Sequence, residues 1–285
     1  MNRRQFITST TAAMAFGPQL CAASTPSPTM GKKGCAFVTR DDNNGWLNRL
    51  RKLGGNWLYS WGATRPQQLP DSVDFAPMIW GKSSPEKLAE RIEQLKPLVA
   101  SGQVRTLMGF NEPDQHEQSN MTVEQVIELW PILMQLNVPL VSPGCVHPDR
   151  EWMHAFMEQV EQHKLRVDYI SVHSYGGPSA DHLIKRLENV SATFGRPLWI
   201  TEFAVGDWQA KTPQENKHSP QRVAAFMREL LPELDKLKCL DRYAWFSASP
   251  SSAPLGTSAL FDDTGQLTPL GEIYAAHDRN RQLQS

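Results

Sequence analysis

LMGFNEPD, residues 107–114, reads as a strand that ends on working groups. Leu107-Met108-Gly109-Phe110 is a short apolar run of the kind buried on both faces of a parallel sheet. The chain then turns polar at Asn111-Glu112 and stops at Pro113, which has no N–H for a ladder. A buried strand that finishes on a carboxylate is built to present it.

The same pattern recurs along the chain. Strand-like runs occur at CAFV (35–38), NWLYSW (56–61), DFAPMIW (74–80), TLMGF (106–110), PLVSP (139–143), DYISVHSY (168–175), PLWITEFAV (197–205) and YAWFSAS (243–249). Amphipathic stretches lie between most of them. Ser83-Ser84-Pro85-Glu86 combines a capping box with a first-turn proline, and Leu88, Ile92, Leu95 and Val99 follow at helical spacing until Gly102. Thr122 and Gln125 form a second box ahead of Val126, Leu129 and Leu133. Further stripes are Trp152, Phe156 and Val160; Leu183, Leu187, Val190 and Phe194, closed by Gly195; and Val223, Phe226, Leu230 and Leu234. A last helix starts near Thr268-Pro269. Residues 62–73 are short and proline-rich, so the second helix is expected to be short or missing.

Eight strands alternating with helices predict an α/β fold, a single (β/α)8 TIM barrel. A doubly wound open sheet is the alternative, but no glycine-rich phosphate loop follows the first run. The predicted organisation is an export signal over 1–23, a Ser/Thr/Pro-rich linker over 24–33 and a catalytic domain over 34–285.

The first 23 residues set Arg3-Arg4 ahead of a modest apolar run and small residues, with no acidic residue before Asp41. This resembles a twin-arginine export signal, with Asn2 and Thr8 in place of the commoner Ser/Thr and Lys, and predicts a periplasmic or secreted protein. Cleavage is expected near Ala23, a lipoprotein at Cys21 being the alternative. The run is too short to stay in a membrane as an anchor. Losing Arg3 and Arg4 moves the net charge from −1 to −3, which gives no hint of a nucleic-acid or membrane partner. Cys35, Cys145 and Cys239 are too few and too scattered for a disulfide framework or a zinc site. A monomer with no cofactor and no metal is expected.

Barrel active sites lie at the C-terminal strand ends. Strand four ends there on Asn111-Glu112, strand six on His173-Ser174-Tyr175 and strand seven on Thr201-Glu202-Phe203. Two carboxylates projecting into one barrel mouth suit glycoside hydrolysis, one protonating the leaving oxygen and the other attacking the sugar or activating water. A lone strand-end Glu would read as an ion-pair partner; two, on strands four and seven, point to chemistry. His173 has two open readings, a structural hydrogen bond or a site role. Trp61, Trp80 and Trp245 stand at strand tips, where they read either as packing or as flat platforms for sugar rings. Trp57 and Trp199 read as core, and Trp130 and Trp152 as helix packing. A metal-dependent hydrolase using His147 and His173 is disfavoured, because no His-x-His or His-Glu-x-x-His pattern occurs.

Asn-Glu-Pro on strand four with a Glu on strand seven resembles clan A of the retaining glycoside hydrolases. FAPMIWG, LMGFNEPDQHEQSNMTVEQVIELWP, YISVHSYGG, PLWITEFAVGDW, YAWF and ALFDDTGQLTPLGEIY narrow the resemblance to glycoside hydrolase family 128, from about Trp57 to Tyr274. The resemblance implies an endo-β-1,3-glucanase acting on β-glucan, with Glu112 as acid/base and Glu202 as nucleophile. It implies that Asn111 orients the sugar 2-OH, that His173 and Tyr175 support the nucleophile or line a subsite, and that Trp245 is the platform beneath the cleaved ring. Another clan A specificity, such as a mannanase or cellulase, and a non-catalytic glucan-binding protein remain the alternatives.

Overall fold

The computed structural model describes residues 31–40 and 45–282, with side chains as far as His277. The expected export signal, and the linker as far as residue 30, lie outside the described residues. Among these residues the chain forms eight strands: β1 (Lys33–Ala36), β2 (Trp57–Tyr59), β3 (Asp74–Phe75), β4 (Leu107–Met108), β5 (Leu140–Val141), β6 (Ile170–Ser174), β7 (Leu198–Phe203) and β8 (Leu240–Phe246). Each overlaps a run read from the sequence, β1 beginning two residues and β8 three residues ahead of theirs. Around them lie α1 (Gly45–Leu53), α2 (Pro85–Ala100), α3 (Val123–Met134), α4 (Glu151–Gln162), α5 (Ala180–Phe194), α6 (Pro220–Lys236) and α7 (Pro269–Gln282). No α-helix separates β2 from β3, as the proline-rich 62–73 segment predicts.

All strand pairs are parallel. One sheet runs β3-β2-β1-β8-β7-β6 and a second pairs β4 with β5. Bridges Met78–Met108 and Val141–Tyr169 join the two, so the ring closes as a (β/α)8 barrel.

Local chemistry explains the helix ends. The Ser84 hydroxyl accepts from the Lys87 N–H, with Pro85 in the first turn of α2. The cap is therefore Ser84, one residue beyond the expected box. Thr122 and Gln125 close the expected box on α3 reciprocally. Gly195 ends α5 at φ 62°, a conformation that costs glycine nothing. The first helix, α1, spans only 9 residues. Its buried Trp46, Leu50 and Leu53 hold it to the barrel.

Side chains alternate across each strand, which builds two cores. Leu58, Phe75, Leu107, Leu140, Ile170, Ile200 and Tyr243 point outward beneath the helices. Trp57, Tyr59, Met78, Met108, Val141, Trp199 and Ala244 fill the barrel axis. Burying each large side chain contributes about 2 kcal/mol. Trp57 and Trp199 are thus core, as read, as is Trp130.

Trp245 is corrected. Along β8, Ala244 faces the axis, so its neighbour Trp245 must face outward. Its ring is 1% exposed, packs edge-on to Phe203 and donates Nε1–H to the Ser258 carbonyl at 2.9 Å. It cannot meet a sugar. Phe246, one residue on, lines the mouth instead.

Candidate active site

Glu112 and Glu202 reach the same space by two backbone devices. Beyond β4 the chain keeps strand-like bonds, with Asn111 N–H to the Trp80 carbonyl at 2.8 Å and Glu112 N–H to the Gly144 carbonyl at 2.7 Å. Glu112 itself adopts φ 42°, a left-handed conformation that costs a non-glycine residue about 1 kcal/mol or more. The surrounding bonds hold it there and aim the carboxylate across the mouth. In β7 the register with β6 and β8 slips near Thr201. A bulge of this kind re-aims a side chain. Here it lets Thr201 bond Ser171 at 2.7 Å while Glu202 also turns inward.

One oxygen of Glu112, one of Glu202 and a ring nitrogen of His173 lie within 4.8 Å of one another, and all three residues are buried. His173 Nδ1 is 2.7 Å from Glu112 Oε1 and 3.6 Å from Glu202 Oε2. Burial opposes a charge on His173, but the negative charge of Glu202 and the bond to Glu112 outweigh it and raise its pKa. Gly144 permits this geometry, since a Cβ there would lie 2.7 Å from His173 Nε2.

Glu202 is held by neutral donors. Tyr59 Oη–H and Trp61 Nε1–H donate to Oε1 at 3.0 and 2.7 Å, and Tyr175 Oη–H donates to Oε2. Burial first, and then the charge of Glu202, push both phenols well above their usual range, so they stay protonated as donors. Trp61 takes φ 52°, unusual for a bulky residue, and that turn brings its indole to Glu202.

The cleft around this pair is about 1520 Å³. The structure brings Glu112, Glu202, Asn111, Tyr175, Trp61 and Trp80 onto its walls, with His173 directly behind. Asn111 is 4% exposed; its Nδ2 bonds Gln118 and its Oδ1 has no partner. Trp80 is 40% exposed on the rim.

Sequence reasoning missed three contributors. Tyr59 sat within a wall-like run, yet its two-residue spacing from Trp57 and Trp61 puts all three on one face. Asp114 accepts the N–H groups of Val146 and His147, both at 3.0 Å, and ties the β4 and β5 loops together. Trp208 is 62% exposed and pinned by Nε1–H to the Tyr175 carbonyl.

Glu112, His173 and Glu202 are also the set, among the described residues, whose atoms could surround a metal ion. The same atoms already have partners within the protein: Glu112 Oε1 bonds His173 Nδ1, and the Glu202 oxygens accept from three neutral donors. The arrangement suits carboxylate chemistry, with one acid held by neutral donors and the other beside a histidine.

Residues 34–274 match the family model described as glycosyl hydrolase catalytic core. The chain is 27% identical over 259 residues to Alkali-sensitive linkage protein 1 of Schizosaccharomyces pombe, which accounts for 87% of this chain and 45% of that protein. The chain thus spans less than half the length of that curated relative. Among solved structures, a GH128 subgroup I endo-β-1,3-glucanase from Amycolatopsis mediterranei, a Glu→Gln variant in complex with laminarihexaose, is similar with a TM-score of 0.71 and 32% identity. That likeness covers 86% of this chain and 98% of the other. A GH128 subgroup II endo-β-1,3-glucanase from Sorangium cellulosum aligns with a TM-score of 0.69 and 25% identity over 87% and 98%. With a family model spanning the barrel and such relatives covering nearly their whole length, this chain belongs to the glycosyl hydrolase catalytic core family and, within the glycosidases, to glycoside hydrolase family 128.

Proposed function

We propose that the protein is a retaining endo-β-1,3-glucanase. The observation that carries the reading is the close approach of the two carboxylates, whose nearest-placed oxygens lie within 4.8 Å. Retaining enzymes hold their carboxyl groups about 5–5.5 Å apart, and inverting ones need room for a water at about 6.5–9.5 Å. The β-1,3 linkage is supported by the similar enzymes, solved with laminari-oligosaccharides.

In this reading Glu202 attacks the anomeric carbon. Three neutral donors hold its two oxygens in place without neutralising them. Glu112 gives its proton to the departing glycosidic oxygen. The covalent glycosyl-enzyme is then opened by a water that Glu112 deprotonates. His173 bonds one Glu112 oxygen, leaving the other to carry the travelling proton. Asn111 Oδ1, buried without a partner, is placed to accept a hydrogen bond from a sugar hydroxyl. Trp61 and Trp80 offer apolar faces to the rings. Polymeric glucan is met outside the cytoplasm, and the Arg3-Arg4 leader supports export.

The test is digestion of linear β-1,3-glucan beside β-1,4-glucan and mannan, with products separated by chromatography. A ladder of short oligosaccharides from the β-1,3 polymer alone is expected. Products from β-1,4-glucan or mannan instead would overturn the linkage, and binding without any product would make the protein a glucan-binding module.

A further inference from the structure

The cleft does not end at the barrel mouth. Its wall continues from Gly176 and Gly177 down between α4 and α5, past Arg150, His154, His182, Lys185, Asn189 and Phe194. Helices pack closely at α2–α3, α3–α4, α5–α6, α6–α7 and α7–α1. The α4–α5 pair meets far less closely, and the arm of the cleft occupies that gap. Ring contact between His154 and Phe194, 5.0 Å apart, bridges it lower down.

Charge on these two helices is sorted. Lys185 and Arg186 of α5 line the arm, beside His182 and beside His154 near the start of α4; Asp149, just before α4, lines it too. None of the acidic residues of the same helices does: Glu151, Glu158 and Glu161 of α4 and Asp181 and Glu188 of α5 lie off its walls. Arg150, the N-cap of α4, adds another cation and makes no side-chain cap bond. A helix dipole disfavours a cation at that end, so the helix does not account for it. Arg186 is committed, to Asp149 at 2.8 Å and to the His173 carbonyl, and anchors the arm directly behind the carboxylate site. Among the described residues, Arg150 and Lys185 make no side-chain hydrogen bond or ion pair. Arg186 and Asp149 offset each other, so Arg150 and Lys185 give the arm an excess of positive charge on a chain whose formal charge is −1.

We propose that the α4–α5 arm binds anionic substituents, carboxylate or phosphate, carried on the glucan that occupies the mouth. This rests on the glucanase reading. A glycan is favoured over a separate polyanion because the arm opens from the mouth, so a substituent on the bound chain is delivered to it covalently. Asn189 and Thr193 on the same wall supply polar groups for sugar hydroxyls.

The experiment compares neutral, carboxymethylated and phosphorylated forms of one linear β-1,3-glucan, at low and high salt. Wild type is set against Arg150→Glu/Lys185→Glu and against the milder Arg150→Gln/Lys185→Gln, each checked for unchanged Tm. Charge reversal is expected to raise KM about fivefold on a substituted glucan and to leave the neutral polymer unchanged, with high salt erasing the difference. Whichever substituent shows the effect identifies its source. Equal KM changes on neutral and substituted glucan, or none on either substituted form, would overturn the proposal. So would weaker heparin binding with unchanged glucan kinetics, which marks a general polyanion patch. Gel retardation by each glucan, measured in a Glu202→Gln background, separates the two readings. Loss of charge-dependent retardation on reversal supports the arm even if wild type cleaves none of these polymers, and retardation insensitive to reversal removes it.

Discussion

The two ends of the barrel solve the problem of buried charge in opposite ways. At the floor, Asp74 is matched by a guanidinium, with Arg242 Nη2 at 2.6 Å. That same guanidinium lies 4.3 Å from the centre of the Trp199 ring and 5.6 Å from that of Trp57. The charges cancel and the end is plugged. At the mouth, two carboxylates face each other and no Lys or Arg pairs with either among the described residues. Neutral phenols, an indole and one histidine hold them. In the proposed reading, a Lys or Arg paired with Glu202 would quench the nucleophile, whereas its three neutral donors orient it; the histidine, whose charge the carboxylates favour, hydrogen-bonds Glu112 instead. The axis is continuous, so the difference lies in what each strand places at its start and at its end.

That contrast is open to attack by mutation. The largest effect belongs to the mouth: Glu202→Gln should lower kcat by at least about 10⁴-fold while Tm stays within a few degrees of wild type. Glu112→Gln should cost about 10²–10⁴-fold, as expected for a general acid. The floor should behave in reverse. Asp74→Ala removes the closest partner of Arg242, leaving it the longer contact to Asp241 at 3.7 Å, and should remove about 3 kcal/mol of stability in urea unfolding, with kcat per folded molecule unchanged. A fall in kcat matching that of the mouth variants would break the division. Tyr59→Phe removes one O–H donor from Glu202 and should slow turnover about tenfold with KM nearly unchanged. Trp245→Phe should cost about 1 kcal/mol of stability through its lost bond to Ser258, and leave KM alone. A tenfold rise in KM there would restore the platform role that its outward orientation denies.

A pH profile sharpens the same point. The raised pKa of His173 means that its cationic form is favoured by the fold. The stability it contributes is full below the unfolded value, about 6.5, and is lost as pH rises through the raised folded value. Wild type should therefore lose Tm on alkalinisation above about pH 6.5, and His173→Gln should show a flatter curve over that window.

Much of this was legible in the sequence, for physical reasons. A strand buried on both faces writes itself as an apolar run, so all eight strands could be located. A break from apolar to Asn111-Glu112 or Thr201-Glu202 marks a tip, so both carboxylates were found. Which face a residue takes within a run is harder to read. Apolar residues line both sides of a barrel wall, and nothing in YAWF says that Ala244 faces in and Trp245 out. The same ambiguity hid Tyr59. The left-handed turns at Glu112 and Trp61 carry no glycine to announce them. The sequence also contains every charge of α4 and α5, but the gap that collects the basic ones depends on how the helices pack.

The measurement closest to the central claim is the configuration of the first product. Proton NMR during hydrolysis of a β-1,3-gluco-oligosaccharide should show the β-anomer of the newly formed reducing end first, with the α-anomer growing only by mutarotation. That result follows from two carboxylates this close, with Glu202 attacking the sugar directly. Initial appearance of the α-anomer would mean that water attacks in a single displacement, and would contradict the account.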